Sequence, residues 1–217
     1  MTMKAPQKLL IMGDSYSTFE GYIPEGFAPY YTKADIKQVG ITDVEQTWWR
    51  RLCREYDVEL LRNDSWSGST VCYTAYNSRD CSADSSFIKR LRDLIAEGFF
   101  SEDGPDTVIV FGGTNDSWAD APIGELMTDG VTEADLFSVL PAFCHLSKTI
   151  SELPGVKQTL FVINTGLKPA ITEGIKAAAA LYGAESVALT EVDRINGHPG
   201  IKGMEDIFLG VKQIMSN

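Results

Sequence analysis

The sequence predicts an α/β fold, a three-layer α/β/α sandwich around a five-stranded parallel sheet, and three observations predict it. Apolar runs of strand length alternate with amphipathic, helix-length stretches five times along the 217 residues. The runs lack the apolar-polar alternation of a half-exposed sheet, so they read as strands buried on both faces. The first three each stop abruptly in a loop of Gly, Ser, Asp and Asn. In an open parallel sheet the carboxyl ends of the strands share one edge, where ligands sit.

Taken in order, Leu9–Met12 is the first strand, ending in Gly13-Asp14-Ser15. A long stretch, Thr18 to Gln46, follows, rich in Gly, Pro and Tyr. It is too long for an ordinary strand-to-helix connection, and its aromatics suggest a packed wall of a pocket. Thr47–Tyr56 places Trp48, Leu52 and Tyr56 on one side of a helix. Val58–Leu61 is the second strand, leading into N-D-S-W-S-G-S-T-V. Phe87–Phe99 is an amphipathic helix with Gly98 as its stop. Thr107–Phe111, T-V-I-V-F, is a β-branched central strand that ends in G-G-T-N-D. A second long loop spans Ser117–Val131. Thr132 with Asp135 suggests a capped short helix, and Pro141 suits the first turn of a helix running from about Ser138 to Leu153. Thr159–Asn164 is the fourth strand, Pro169–Tyr182 an alanine-rich helix, Ser186–Leu189 the fifth strand, and Ile201–Met215 the last helix. With right-handed crossovers a flavodoxin-like strand order, 2-1-3-4-5, is expected. The chain, 1–217, is expected to form a single domain.

A net charge of −11 argues against nucleic-acid or anionic-membrane partners, because the charge that would neutralise phosphates is missing. No apolar run reaches the length of a membrane span. M-T-M-K-A-P-Q-K runs directly into the first strand without a signal-peptide core, so a cytoplasmic location is expected, or an exported one if a leader has been removed. The four cysteines, Cys53, Cys72, Cys81 and Cys144, fit no zinc spacing; they read as buried thiols, with Cys72 and Cys81 able to bridge in an oxidising compartment. No metal or cofactor is expected, and the oligomeric state is open.

Ser15, standing at a strand's carboxyl end, is a nucleophile candidate in search of a base. Of the two histidines, His145 falls inside a predicted helix and reads as a surface or core residue. His198 lies in a loop before the last helix, on the ligand edge, and is the better base. Donors for a developing oxyanion are available in the Ser15 N–H, the Gly68 N–H of W-S-G-S and the Asn115 side-chain amide. Asp14 and Asp116 read as acceptors that fix the loops around them.

G-D-S, the glycine of N-D-S-W-S-G, the asparagine of G-G-T-N-D and the histidine of G-H-P, in this order, resemble the four blocks of the SGNH (GDSL) hydrolases. The resemblance spans nearly the whole chain. It implies an α/β/α domain that hydrolyses carboxylic esters without a metal, with Ser15 as nucleophile, His198 as base, and Ser15, Gly68 and Asn115 as the oxyanion hole. One position departs from the pattern. The family usually carries an Asp three residues before the histidine, and here that residue is Ile195 in V-D-R-I-N-G-H-P. Asp193 reaching His198 through a longer loop, a backbone carbonyl on Nδ1, or a plain dyad are the three arrangements left.

Tyr16, Phe19, Tyr22, Trp66, Tyr73, Tyr76 and Trp118 fall in loops expected around Ser15. Flat aromatic faces beside a polar pocket suit sugar rings, so a small or oligosaccharide acyl ester is the expected substrate, with Tyr16, Trp66 and Trp118 as its contacts. The alternatives are a lipase or thioesterase of longer acyl chains, a non-catalytic carbohydrate-binding or interaction domain on the same scaffold, and a flavodoxin-like nucleotide binder. The last lacks both the Lys-Ser/Thr of a phosphate loop and a G-x-G-x-x-G.

Overall fold

Successive residues of a strand point to opposite faces of its sheet, and here that alternation sorts the whole apolar core. The computed structural model describes residues 3–216. Along the chain the regular elements are β1 (Met3–Lys4), β2 (Lys8–Gly13), α1 (Trp48–Tyr56), β3 (Glu59–Ser65), α2 (Phe87–Ala96), β4 (Thr107–Phe111), α3 (Thr114–Trp118), α4 (Val139–Ser151), β5 (Gln158–Ile163), α5 (Pro169–Leu181), β6 (Glu185–Ala188), β7 (Arg194–Ile195), β8 (His198–Pro199), α6 (Ile201–Lys212) and β9 (Met215–Ser216). The main sheet has the order β3-β2-β4-β5-β6, every neighbour parallel, which is the predicted 2-1-3-4-5.

Leu10, Met12, Val108, Val110, Phe161 and Ile163 face one way and pack with α2, α4 and α5. Leu9, Ile11, Ile109, Phe111, Leu160 and Val162 face the other and pack with α1 and α6. All are essentially fully buried, and each such side chain stabilises by roughly 1.5–3 kcal/mol. Both faces of the sheet are thereby closed, leaving its carboxyl edge as the place where polar loops gather.

Most boundaries fall within a residue or two of expectation; α2 ends at Ala96 rather than Phe99, because Gly98 at φ +71° already turns the chain and the Gly98 and Phe99 N–H groups close the helix end on the Ile95 and Leu94 carbonyls. The other exceptions also have physical reasons. β3 runs on to Ser65 because Asn63, Asp64 and Ser65 continue the ladder beside Ile11, Met12 and Gly13. Their polar side chains are buried but bonded: Asn63 Nδ2 donates to the Ser17 carbonyl at 2.8 Å, and the Ser65 hydroxyl to Asn63 Oδ1 at 2.5 Å. Hydropathy reads such residues as loop. Thr132 is not the cap of a short helix; the Asp135 carboxylate instead accepts from the Thr132 N–H and hydroxyl, and only a 3₁₀ turn at Asp135–Phe137 follows. The last helix ends at Lys212, before the Met215 pairing with Met3.

The long stretch after Ser15 is packed as expected, with Phe19, Tyr31, Val39 and Ile41 buried. All four cysteines are buried free thiols, and the Cys81 thiol contacts the Cys72 carbonyl rather than its sulfur. Among the described residues, no helix is long and apolar enough to cross a membrane.

Candidate active site

Gly13 closes β2, and the chain turns at once into a 3₁₀ turn, Ser15–Ser17, whose N-cap is Asp14. The Asp14 carboxylate accepts the Tyr16 N–H at 3.0 Å, which sets the turn. Its second oxygen is buried without a partner, and burial pushes its pKa up to about 7 against the pull of the Tyr16 N–H. Asp116 serves the neighbouring loop in the same way, accepting from the N–H groups of Val71 and Cys72. Both aspartates therefore fix loops, as their positions suggested.

His198 arrives from the far end of the chain on a two-residue hairpin. Ile195 pairs with His198 and Arg194 with Pro199, and the turn between them is Asn196-Gly197 with φ of 53° and 82°. Positive φ at both central residues is the type I′ hairpin that Asn-Gly favours. Three contacts pin this hairpin to the sheet edge. Tyr16 O–H donates to the Gly197 carbonyl at 2.7 Å, Tyr31 O–H to the Pro199 carbonyl at 2.9 Å, and Arg194 Nη2 to Asn164 Oδ1 at 2.8 Å. The outcome is a 2.9 Å contact between His198 Nε2 and Ser15 Oγ, across 183 residues of sequence.

With the serine hydroxyl donating, Nε2 is the acceptor and the imidazole proton resides on Nδ1. Nδ1 is buried and has no hydrogen-bond partner. Desolvation pushes the ring's pKa down to about 4; the Asn196 carbonyl opposes that, and the charges of Lys37 and Arg194 reinforce it. The imidazole is accordingly neutral at physiological pH and able to take a proton.

Asp193 does not complete the set. It is exposed, its backbone N–H donates to Asp206 at 3.0 Å, and its charge acts on Lys202 of α6. The hairpin explains why: Ile195, not Asp193, stands opposite His198. A carboxylate two residues further back falls outside the turn and toward solvent.

The predicted oxyanion donors gather on the same edge. Trp66–Ser69 forms a turn closed by the Ser69 N–H on the Trp66 carbonyl at 3.2 Å, with Gly68 at φ +82° and nothing within 4 Å of where a Cβ would stand. Glycine takes that conformation readily, and on the side where a side chain would stand the loop is open. Asn115 lies in α3, a single helical turn where a loop was expected, entered through Gly113 at φ +93°. Its amide is held at both ends: Nδ2 donates to the Ser69 carbonyl at 2.9 Å, and Tyr76 O–H donates to Oδ1 at 2.8 Å. The Ser69 carbonyl, which can only accept, fixes which end of the amide is the donor, and the second Nδ2 hydrogen remains for a ligand. Removing that donor in Asn115→Ala is expected to lower kcat ~10²–10³-fold, about 3–4 kcal/mol of transition-state stabilisation, with KM little changed. Steady-state kinetics on p-nitrophenyl acetate checks this, and a loss confined to KM would assign Asn115 to ground-state binding instead.

Of the three aromatic contacts expected for substrate, Tyr16 is ruled out as a surface. Its ring is fully buried, edge-on to Phe111, and its hydroxyl is spent on Gly197. Trp66 is half-buried with Phe27 on its face at 4.4 Å. Trp118 remains 44% exposed and stands edge-on to His198, and Tyr76, at 39%, is exposed beside Asn115. His145 sits half-buried on α4 near Glu133 and Arg92. Two residues that organise the site were absent from the reading of the sequence. Tyr30 stacks on His198, and Arg90 is buried under the nucleophile turn.

Comparison with known proteins follows the same lines. The family model for GDSL-like lipase/acylhydrolase matches residues 7–215. A solved structure from Bacteroides uniformis named as a GDSL-like lipase is 40% identical with a TM-score of 0.87, over 95% of this chain and 94% of that one. One from Bacteroides ovatus, named likewise, is 36% identical with a TM-score of 0.86, over 98% of each chain. The aryl esterase of M. smegmatis, at 14% identity and a TM-score of 0.55 over 95% of this chain and 97% of that one, shares the fold. No curated protein matches the chain.

Proposed function

Since this chain belongs to the GDSL-like lipase/acylhydrolase family and is an ester hydrolase, we propose that it cleaves short acyl esters, acetyl groups on carbohydrate foremost, through an acyl-enzyme on Ser15. The observation that carries this reading is the 2.9 Å contact between Ser15 Oγ and His198 Nε2. In the first half-reaction the imidazole takes the hydroxyl proton as Oγ attacks the acyl carbon. The carbonyl oxygen becomes an oxyanion and is received by the N–H groups of Ser15 and Gly68 and by Asn115 Nδ2. His198 then returns its proton to the leaving alcohol, and water repeats the sequence to free the acid. No carboxylate takes part: Ser15 and His198 work as a pair, with the Asn196 carbonyl as a backbone group that favours the charged imidazole.

The carbohydrate assignment draws on Trp118 and Tyr76, whose rings are exposed beside His198 and Asn115. Each offers a flat apolar face with a polar group at its edge, the pairing that a sugar ring and its hydroxyls require. The other rings next to the nucleophile, Tyr16 and Phe19, are committed to the core and line no acyl tunnel. Hydrolysis of p-nitrophenyl acetate, butyrate and octanoate, followed by acetate release from acetylated oligosaccharides, tests the assignment. The rate is expected to fall about tenfold or more from acetate to octanoate, and acetylated oligosaccharide to outcompete the chromogenic ester. Fastest turnover of octanoate would mark a lipase or thioesterase, and turnover of none of them a binding domain.

A further inference from the structure

A catalytic imidazole needs something to fix its plane and to tolerate the positive charge it gains, and His198 has no carboxylate for either purpose. Rotation about its Cβ–ring bond is of the broad, two-fold kind, so an unbonded Nδ1 leaves the ring poorly held by its own torsions. Three consecutive features of the nucleophile's side of the site fill the gap. The hydroxyls of Tyr16 and Tyr31 hold the carbonyls of Gly197 and Pro199, fixing the backbone on either side of the histidine. Tyr30 lies flat against the imidazole itself, ring centroids 3.5 Å apart and planes 8° from parallel. Tyr30 is in turn tied to the nucleophile: its N–H donates to Thr18 Oγ1 at 2.8 Å, and that hydroxyl donates to the Ser15 carbonyl at 3.0 Å. One threonine side chain therefore sets the stacking ring and the nucleophile turn relative to each other.

We propose that Tyr30 is the positioning residue of this site, its ring face standing in for the absent carboxylate by holding the imidazole plane toward Ser15 and stabilising the imidazolium formed during attack. This rests on the reading of Ser15 and His198 as nucleophile and base. The negative face of an aromatic ring attracts a cation lying over it, so the stack strengthens as His198 takes up the serine proton. That gain is specific to the transition state and therefore belongs in kcat. The groups facing the imidazole are the Ser15 hydroxyl, Tyr16, Tyr30, Trp118 and the Asn196 carbonyl, with Lys37 and Arg194 acting at longer range. Of these only Lys37 and Arg194 are charged, and both oppose the imidazolium, which leaves the π face as its counterweight.

The test compares Tyr30→Phe, Tyr30→Trp and Tyr30→Leu, with Asp193→Asn as the surface control, in the His145→Gln background so that one histidine remains to be followed by NMR. Tyr30→Phe and Tyr30→Trp keep a flat face and are expected to retain kcat within about threefold. Tyr30→Leu is expected to lower kcat about 10- to 100-fold at unchanged KM. It should also lower the His198 pKa further below its ordinary 6.5, because the imidazolium loses the ring face that stabilises it; a rise would show a ring that only excludes water and would overturn the proposal. Asp193→Asn is expected to change nothing. Should the leucine variant lose its thermal transition, Tyr30→Gln replaces it. The proposal is overturned if Tyr30→Leu keeps both kcat and the histidine pKa, or if Tyr30→Phe is as damaging as Tyr30→Leu. Full activity in Ser15→Ala would instead overturn the reading on which it rests.

Discussion

Ser15→Ala and His198→Ala are each expected to lower kcat on p-nitrophenyl acetate by about 10⁴–10⁶-fold, and the double variant to be no worse than either alone. The non-additivity follows from the 2.9 Å contact, since the hydroxyl and the imidazole act as one unit. Without the base Oγ is a weak nucleophile; without Oγ the base has nothing to activate. What survives in all three variants is the residual catalysis of the oxyanion donors, Ser15 N–H, Gly68 N–H and Asn115 Nδ2, which neither substitution removes. Titration with an organophosphate before the kinetics counts live sites and guards against trace wild-type enzyme. A single covalent adduct on wild-type protein that disappears in Ser15→Ala places the acyl group. If the two losses add, the imidazole and the hydroxyl act independently, and the dyad is wrong.

The site's positive half was legible in the chain because it follows from local rules. A buried apolar run that stops in G-D-S, W-S-G or G-G-T-N-D puts those residues on the sheet's carboxyl edge whatever the tertiary detail. The β-branched run T-V-I-V-F gave β4 its bounds without adjustment, Thr107–Phe111. Asp193, one of three arrangements the sequence left open, is excluded for an equally local reason. Asn196-Gly197 is the strongest short hairpin signal a sequence carries, and it fixes the register that places Ile195 opposite His198. The packing of aromatic rings obeys no such rule. Tyr16 and Trp118 both lie close to catalytic positions in the chain, yet one is buried and the other exposed, because Tyr16 is enclosed by Phe111, Trp118 and the His198 hairpin. Arg90 is the extreme case. In F-I-K-R-L-R-D it reads as one charge among four on a solvated face, and only the extension of β3 to Ser65 creates the buried carboxylate that draws it in.

Arg90→Met is expected to cost about 3–5 kcal/mol of folding stability, a large share of the 5–15 kcal/mol typical of a domain. The Arg90 side chain is 1% exposed and that of its partner Asp64 4%, with Nη1 2.8 Å from Asp64 Oδ1. The same guanidinium donates to the carbonyls of Ser85, Asp64 and Gly13 and to the Ser69 hydroxyl, and its plane rests over the Phe87 ring at 4.3 Å. Methionine fills the volume but satisfies none of these acceptors, and it leaves the Asp64 carboxylate buried without a counter-charge. Lysine restores the charge without the planar fork, so Arg90→Lys should recover only part of the loss. Asp64→Asn combined with Arg90→Met should be more stable than Arg90→Met alone, because the penalty lies chiefly in the orphaned charge. Urea denaturation with an unchanged m-value measures all three. Arg90 also bonds Gly13, two residues before the nucleophile, and Ser69, one residue after Gly68. The folded fraction of Arg90→Met should therefore lose kcat as well as stability, as two of the three oxyanion donors come free of their common anchor. A variant within about 1 kcal/mol of wild type and fully active would show the pair to be replaceable, as some buried ion pairs are, with Asp14 and Asn115 sufficient to hold the nucleophile turn and the glycine loop.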